Sequence, residues 1–327
     1  MSDRVHKAFS NFFRRAKDKS CKQKGFPRFK SRVNSITFPQ SGFKLLSDKR
    51  LKLSKIGNIP IILHRVPKGK VKTLTIKQNK ISQWFAIFSC ELPDMATKHI
   101  ITDKVGIDVG LMNYATLSNG ELIDNPRYLL QSEKRIKILQ RRVSKKKKGS
   151  SNRRKARYIL SKQHLKIANQ RDDFLHQLSR RLAKAYSFIA VENLNIQDMA
   201  HNNHLAKYIH DASWNKFINM LSYKAVTCGG QLVKVNPKNT SKTCSKCGAV
   251  KDMPLIERRY ICPSCSFACD RDINAAINIL KVGTDCAELN ACGHNVRPSL
   301  VKAVVDESGT ICDKGLNDQI AGSPLLQ

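Results

Sequence analysis

The sequence predicts an α/β protein in two parts: a small β-barrel behind a basic helical segment, then a mixed α/β domain interrupted by a metal ribbon. Three observations predict it. Short alternating apolar runs fill residues 33–92. From Val105 onward, three strand-like runs precede long amphipathic helical segments that alternate with further strands. Two Cys-x2-Cys pairs then interrupt the last strand-to-helix connection. The chain has 327 residues, enough for about two domains at ~150 residues each. It carries 59 Lys+Arg against 25 Asp+Glu, a net charge of +34. Such an excess argues against an ordinary metabolic enzyme and makes a polyanion the expected partner. No apolar run approaches the ~18 residues of a spanning helix, and the first twenty residues contain no uninterrupted apolar secretory core. The expected location is therefore the cytoplasm and nucleoid, with no membrane partner.

Taken in order, residues 1–30 form the basic helical segment. Val5, Ala8, Phe9, Phe12 and Phe13 recur at helical spacing until Gly25 and Pro27 break it. Arg14, Arg15, Lys17, Lys19, Lys22, Lys24, Arg28, Lys30 and Arg32 interleave with these rings and with Phe26 and Phe29. Rings in that setting stack on bases or pack on an apolar face, and packing is favoured for Phe9, Phe12 and Phe13. Residues 31–92 form the barrel: Leu51 and Leu53 alternate with lysines, as do Val71, Thr73 and Thr75, and ISQWFAIFSCEL reads as a half-buried strand. Residues 93–104 are a linker.

The second part starts with the strands VGIDVG, YATLSNG (ending in an Asn-Gly turn) and ELID. Helices follow over 126–145 and 152–185, the latter with Ile167, Leu175, Leu178 and Leu182 on one face. FIAVENL is a buried strand, and 211–227 a helix with Trp214, Phe217, Ile218 and Leu221 on one face. QLVKVNP is the last strand and RDINAAINILKVG the last helix. Residues 105–240 and 267–283 are thus two parts of one domain around an insert at 241–266, and 284–327 form an irregular tail. The order β-β-β-α-β-α-β-α is that of an RNase H-like domain. There is no internal repeat.

The sharpest local signal is Cys244-x2-Cys247 with Cys262-x2-Cys265. Each pair wraps one side of a tetrahedral Zn²⁺, and Gly248 supplies the tight turn after the first. The 14-residue gap is closed by a hairpin around Asp252–Pro254. Four thiolates leave no open coordination position, so the role read from them is structural. Cysteines 21, 90, 228, 269, 286, 292 and 312 lack such spacing and default to core or loop thiols.

Three acidic residues stand out in a chain short of acid. Asp108 ends the first strand in GIDVG, Glu192 ends FIAVENL, and Asp272 opens the last helix in CDRDINAAINI. In an RNase H-like arrangement these positions converge on one sheet edge, where carboxylates chelate two Mg²⁺ ions about 4 Å apart for phosphodiester hydrolysis. Taken singly, each has a plainer reading: Asp272 as a helix N-cap, Glu192 as a strand-end solvent residue, Asp108 as a turn former. Asp270, two residues from Asp272, points to another helix face.

VGIDVGLMNYATLSNG, VENLNI and NTSKTCSKCG…YICPSCSFACDRDINAAINIL resemble the TnpB (OrfB-type) proteins of insertion sequences. These are relatives of the type V CRISPR effectors and carry a RuvC-like nuclease domain. GFPRFKSRVNSITFPQSGFKL resembles the family's passage from recognition helices into its wedge barrel. The resemblance covers residues 5–282, and its most specific part is the four-Cys ribbon placed just before D-x-N-A-A. It implies a prokaryotic, RNA-guided DNA endonuclease acting on double-stranded DNA, with guide RNA from the transposon end. It further implies Asp108, Glu192 and Asp272 as catalytic Mg²⁺ ligands and Cys244, Cys247, Cys262 and Cys265 as zinc ligands. Asp272 is preferred to Asp270 because the family's catalytic Asp precedes x-N-A-A. Family members usually begin upstream with a further wedge strand and recognition helices. A truncated copy, or a misassigned start, is the corresponding expectation, with chemistry retained and guided binding impaired.

The connection RRVSKKKKGSSNRRKAR at 141–157 holds ten Lys or Arg: Arg141, Arg142, Lys145, Lys146, Lys147, Lys148, Arg153, Arg154, Lys155 and Arg157. As a nucleic-acid contact it gains by neutralising phosphates; as a plain loop it is a solvated charge run. His201 and His204 read as loop histidines, and Cys292-Gly293-His294 lacks a partner pair. Three rival functions stay open: a copy that only binds nucleic acid, a strand-transferring transposase, and a structural ribosome-type basic protein with a zinc ribbon.

Overall fold

The computed structural model describes residues 2–21, 24–28, 33–46, 49–92, 102–254 and 257–291. The expected linker therefore falls largely outside the described residues, as do Lys22, Phe29, Lys30, Arg32, the side chain of His204, and the chain from Cys292 onward. The described residues up to 92 belong to one compact unit and those from 102 to another.

In the N-terminal unit, α1 (Ser2–Lys17) precedes β1 (Ser35–Pro39), β2 (Phe43–Leu45), β3 (Arg50–Leu53), β4 (Gly57–Pro60), β5 (Lys70–Gln78) and β6 (Trp84–Glu91). Phe9, Phe12 and Phe26 pack edge-on, with Phe12 to Phe26 centroids 5.1 Å apart. Arg4 of α1 donates to the Ser35 carbonyl of β1 at 2.6 Å. The alternation in Arg50–Leu53 buries Leu51 and Leu53 while Arg50 and Lys52 stay in water. The described strands do not close into the expected barrel. They form two antiparallel three-stranded sheets, β1-β5-β6 and β2-β3-β4. A single 3-10 turn at Gln40–Gly42 passes the chain from β1 in one sheet to β2 in the other. The sheets then share one apolar core of Phe38, Leu51, Leu53, Leu74 and Phe88 rather than one continuous hydrogen-bonded ladder.

The C-terminal unit is built on β7 (Lys104–Val109), β8 (Asn113–Leu117), β9 (Leu122–Asp124), α2 (Tyr128–Ser144), α3 (Ser151–Ala185) and β10 (Phe188–Glu192). It continues through α4 (Ile196–Ala200), α5 (Asn203–Ala212), α6 (Trp214–Thr227), β11 (Gln231–Val235), β12 (Arg259–Ile261), β13 (Ala268–Asp270) and α7 (Arg271–Ala291). Its five strands lie in the order β11-β10-β7-β8-β9. β7, β8 and β9 form an antiparallel meander, while β10 and β11 add in parallel beside β7. The first strand at the centre, its hairpin partners on one side and the two crossover strands on the other make a RuvC-like, RNase H-type sheet.

The pleat assigns the two faces. Val105, Ile107, Val109, Ile189 and Val191 point toward a core shared with α3 and α6. Phe188, Ala190 and Val235 point the other way, toward Ile279 of α7. α7 runs eight residues past the expected end at 283, because Gly283 is a packing position and not a stop. A Cβ there would sit 2.5 Å from Ala190 Cβ. α5 and α6 are separate helices broken at Ser213, whose φ is +53°. Among the described residues no helix is long and apolar enough to cross a membrane.

Candidate active site and metal centre

The β7–α7 contact places the acidic residues. A Cβ on Gly106 would lie 2.1 Å from the Ala276 carbonyl oxygen, so only glycine lets the helix come this close. Ala275 and Ala276, fully buried, keep the helix side of the contact equally thin. From Gly106 to Asp108 is two strand residues, about 6.6 Å. From Ala276 back to Asp272 is four helical residues, about 6 Å. Asp272 therefore stands over the end of β7 on the face to which Asp108 points. On the neighbouring strand the parallel register pairs Val191 with Ile107, and one further step sets Glu192 beside Asp108.

The electrostatics reports the same proximity. Burial pushes the Asp108 carboxyl well above the usual carboxylate range, with the charges of Glu192 and then Asp272 adding to it. Glu192 is 8 % exposed, and burial raises it too, against a hydrogen bond from Thr240. Asp272 is raised by burial and by Asp270, while Arg258 and Arg271 oppose the shift. Arg258 Nη1 lies 3.7 Å from the Asp272 carboxylate. The N-cap role belongs to Asp270: its Oδ1 accepts the backbone N–H of Asp272 at 2.8 Å and of Ile273 at 3.3 Å. The Asp272 side chain is left for the sheet edge. Thr240, Arg258 and Arg271 escaped the sequence reading; Arg271, between two aspartates in C-D-R-D, is the one that had a signal.

The four cysteines form a tighter group. Cys244, Cys247, Cys262 and Cys265 have all four sulfurs within 4.8 Å of one another, the one such set of three or more ligand-type groups among the described residues. Sulfurs around a tetrahedral zinc at ~2.3 Å lie about 3.8 Å apart. The Cys244–Cys265 and Cys247–Cys262 sulfurs are 3.7 and 3.5 Å apart, so the donor set and its spacing fit the ion. Two like turns make the set. The Gly248 N–H donates to the Cys244 carbonyl and the Ser266 N–H to the Cys262 carbonyl. Both turn residues are left-handed, at φ +79° and +55°. Burial alone would raise the Cys262 thiol, but the N–H groups of Cys265 and Ser264 and the adjacent sulfurs bring it down to about 6.

The motif that follows locks this ribbon to the domain. The Asn274 side chain accepts from the Ser245 N–H at 2.9 Å and donates to the Thr243 carbonyl at 2.7 Å. Asn278 donates to the carbonyls of Thr240 and Thr243 at 2.8 and 2.6 Å. In D-x-N-A-A, then, the Asn holds the ribbon and the alanines admit the sheet.

The basic connection is a helical hairpin tip. Nine of its ten cations are exposed. Arg153 is the exception: it donates to the Val143 and Lys146 carbonyls at 3.2 and 2.8 Å, closing the end of α2.

A family model described as "Probable transposase" matches residues 87–203, and one described as "Cas12f1-like, TNB domain" matches 214–279. A "Putative RNA-guided DNA endonuclease" of Streptomyces pristinaespiralis is 37% identical over 302 residues, covering 89% of this chain and 71% of the relative. InsQ of Escherichia coli (strain K12), which bears the same descriptive name, is 30% identical over 312 residues, covering 90% and 75%. The TnpB-like protein L79 of Acanthamoeba polyphaga mimivirus is 27% identical over 230 residues, covering 65% and 43%. With a RuvC-like sheet, a cysteine ribbon before D-x-N-A-A and relatives this similar along most of their length, the chain belongs to the TnpB (OrfB-type) family of RNA-guided DNA endonucleases.

Proposed function

We propose that this chain is a transposon-encoded, RNA-guided DNA endonuclease that hydrolyses phosphodiesters at Asp108, Glu192 and Asp272. The observation that carries the reading is the β7–β10 register and the Gly106–Ala276 contact, which bring Asp108, Glu192 and Asp272, 84 and 80 residues apart in sequence, toward one sheet edge, where the charges of Glu192 and Asp272 add to the raised carboxyl of Asp108. Hard carboxylate oxygens are a donor set that suits Mg²⁺. When bound, magnesium supplies an activated water and stabilises the leaving 3′-oxygen.

The protein's own work is positioning. Asp108 and Glu192, on adjacent central strands, present their carboxylates from a rigid base, and Asp272 closes the site from the helix. Arg258 and Arg271 offset the negative charge on the Asp272 side, where a scissile phosphate would add more. Guide RNA from the transposon end and double-stranded target DNA are the partners, with base pairing reading the target. The exposed cations Arg141, Arg142, Lys145, Lys146, Lys147, Lys148, Arg154, Lys155 and Arg157 serve as a phosphate contact whose affinity falls with salt. The working location is the nucleoid of a prokaryotic cell, and zinc is the structural ion of the ribbon.

The test uses purified chain with transposon-end RNA and a matched duplex, in Mg²⁺ and in EDTA. Mg²⁺-dependent, RNA-dependent cleavage with free ends supports the reading. Strand-joined products would identify a transposase instead, and retention of duplex without cutting would identify a binder.

A further inference from the structure

Thr240 lies in the segment NPKNTSKTC, between the last sheet strand and the first ribbon cysteine. It is 5% exposed. Its hydroxyl lies 2.5 Å from Glu192 Oε1 and 3.2 Å from the Pro237 carbonyl. A hydroxyl has one proton to give, and the closer acceptor, the carboxyl oxygen, takes it. The direction of that donation is fixed from both sides. Val235 pairs with Glu192 across β11 and β10, and the Asn193 N–H holds the Val235 carbonyl at 2.8 Å. Asn239, at φ +63°, turns the chain back, and Asn278 grips the Thr240 carbonyl at 2.8 Å.

We propose that Thr240 is a positioning residue for Glu192: it holds Oε1 toward the ribbon side, so that Oε2 is the oxygen offered to a cation at the sheet edge. The inference rests on the carboxylate site proposed above and names a residue through which that site is held. Without the hydroxyl, a buried Glu192 carboxylate loses its side-chain donor and its fixed rotamer, and binds a divalent ion less well.

The experiment compares Thr240→Val, Thr240→Ser and Glu192→Ala with the parent, each as the full chain with its RNA. Mn²⁺ binding is read by electron paramagnetic resonance, and the Mg²⁺ concentration for half-maximal cleavage is measured in parallel. Cobalt–thiolate absorption reports whether the cysteine ribbon is intact. Thr240→Val is expected to bind Mn²⁺ about tenfold more weakly and to need correspondingly more Mg²⁺, with an unchanged cobalt spectrum. Thr240→Ser restores both. If Thr240→Val matches the parent in both while Glu192→Ala is inactive, the role of Thr240 is overturned and the site stands. If Glu192→Ala itself binds Mn²⁺ and cleaves like the parent, the site beneath the inference falls. Should valine disturb the ribbon spectrum, serine decides: parental Mn²⁺ binding sustains the hydroxyl's role, and binding as weak as valine's removes it.

Discussion

The cysteine ribbon and the carboxylate edge gather charged ligands by opposite routes. The ribbon takes Cys244, Cys247, Cys262 and Cys265 from one short stretch, and two like turns bring all four sulfurs within 4.8 Å. The edge takes Asp108, Glu192 and Asp272 from three separate elements, and the three are not drawn into a comparably tight set. Local turns suffice for a closed structural site, because soft thiolates surround the ion completely. An open site for a hard ion must leave room for water and substrate, so its ligands sit on a rigid sheet and are brought together by packing. The first kind of site is a property of spacing and the second a property of topology. The two meet at Asn274 and Asn278, which fasten the ribbon to the helix that carries Asp272.

The largest effect should come from removing a carboxylate. Asp108→Ala or Glu192→Ala is expected to abolish cleavage while leaving RNA retention in a gel-shift assay at the parental level; two variants that still cut would break the contrast at its open side. Next is the closed side. Cys262→Ser, or a zinc chelator, removes a site that contributes folding free energy outright. The expected drop in melting temperature is about 10 °C or more, with cleavage lost as the Asn274 and Asn278 partners come away. A smaller effect sharpens the role of packing. Gly106→Ala adds no charge, yet its Cβ drives α7 off β7, at a cost of about 1–3 kcal/mol. Cleavage should fall far more than stability if the helix must stand where it does to deliver Asp272. The smallest effect has the opposite sign. Asp108→Asn removes a buried ionisable carboxyl beside two others, and should raise the melting temperature of metal-free protein by about 2–4 °C at neutral pH. The folded-state pKa of Asp108 is raised, so its penalty sets in above the ordinary carboxylate range and is complete above the raised value. As the pH falls the penalty shrinks, and the gain from asparagine vanishes below the ordinary carboxylate range.

What could be read in advance follows the same division. The alternation in Leu51–Leu53 and the apolar stripe of α3 are local patterns, and the structure buries those residues. The strand order of the second unit was legible because three strands preceding the first helix leave few ways to build a sheet. The two-sheet arrangement of the first unit was not: alternating strands do not reveal that one 3-10 turn switches the chain between two sheets, so a barrel is expected instead. The last helix is expected from sequence to end at 283, and only the neighbouring Ala190 shows that Gly283 is a packing position through which the helix continues. In the same way, nothing in N-T-S-K-T-C marks Thr240, whose partner lies 48 residues away. Arg153 was indistinguishable from its nine basic neighbours until its carbonyl partners were seen.

The most direct measurement locates manganese by anomalous X-ray scattering in crystals of the protein with its RNA and an uncleavable duplex. Two peaks about 4 Å apart, each within about 2.2 Å of oxygens from Asp108, Glu192 or Asp272, are predicted. Peaks confined to other acids, or a single peak that leaves Glu192 or Asp272 uncoordinated, would contradict a shared carboxylate site.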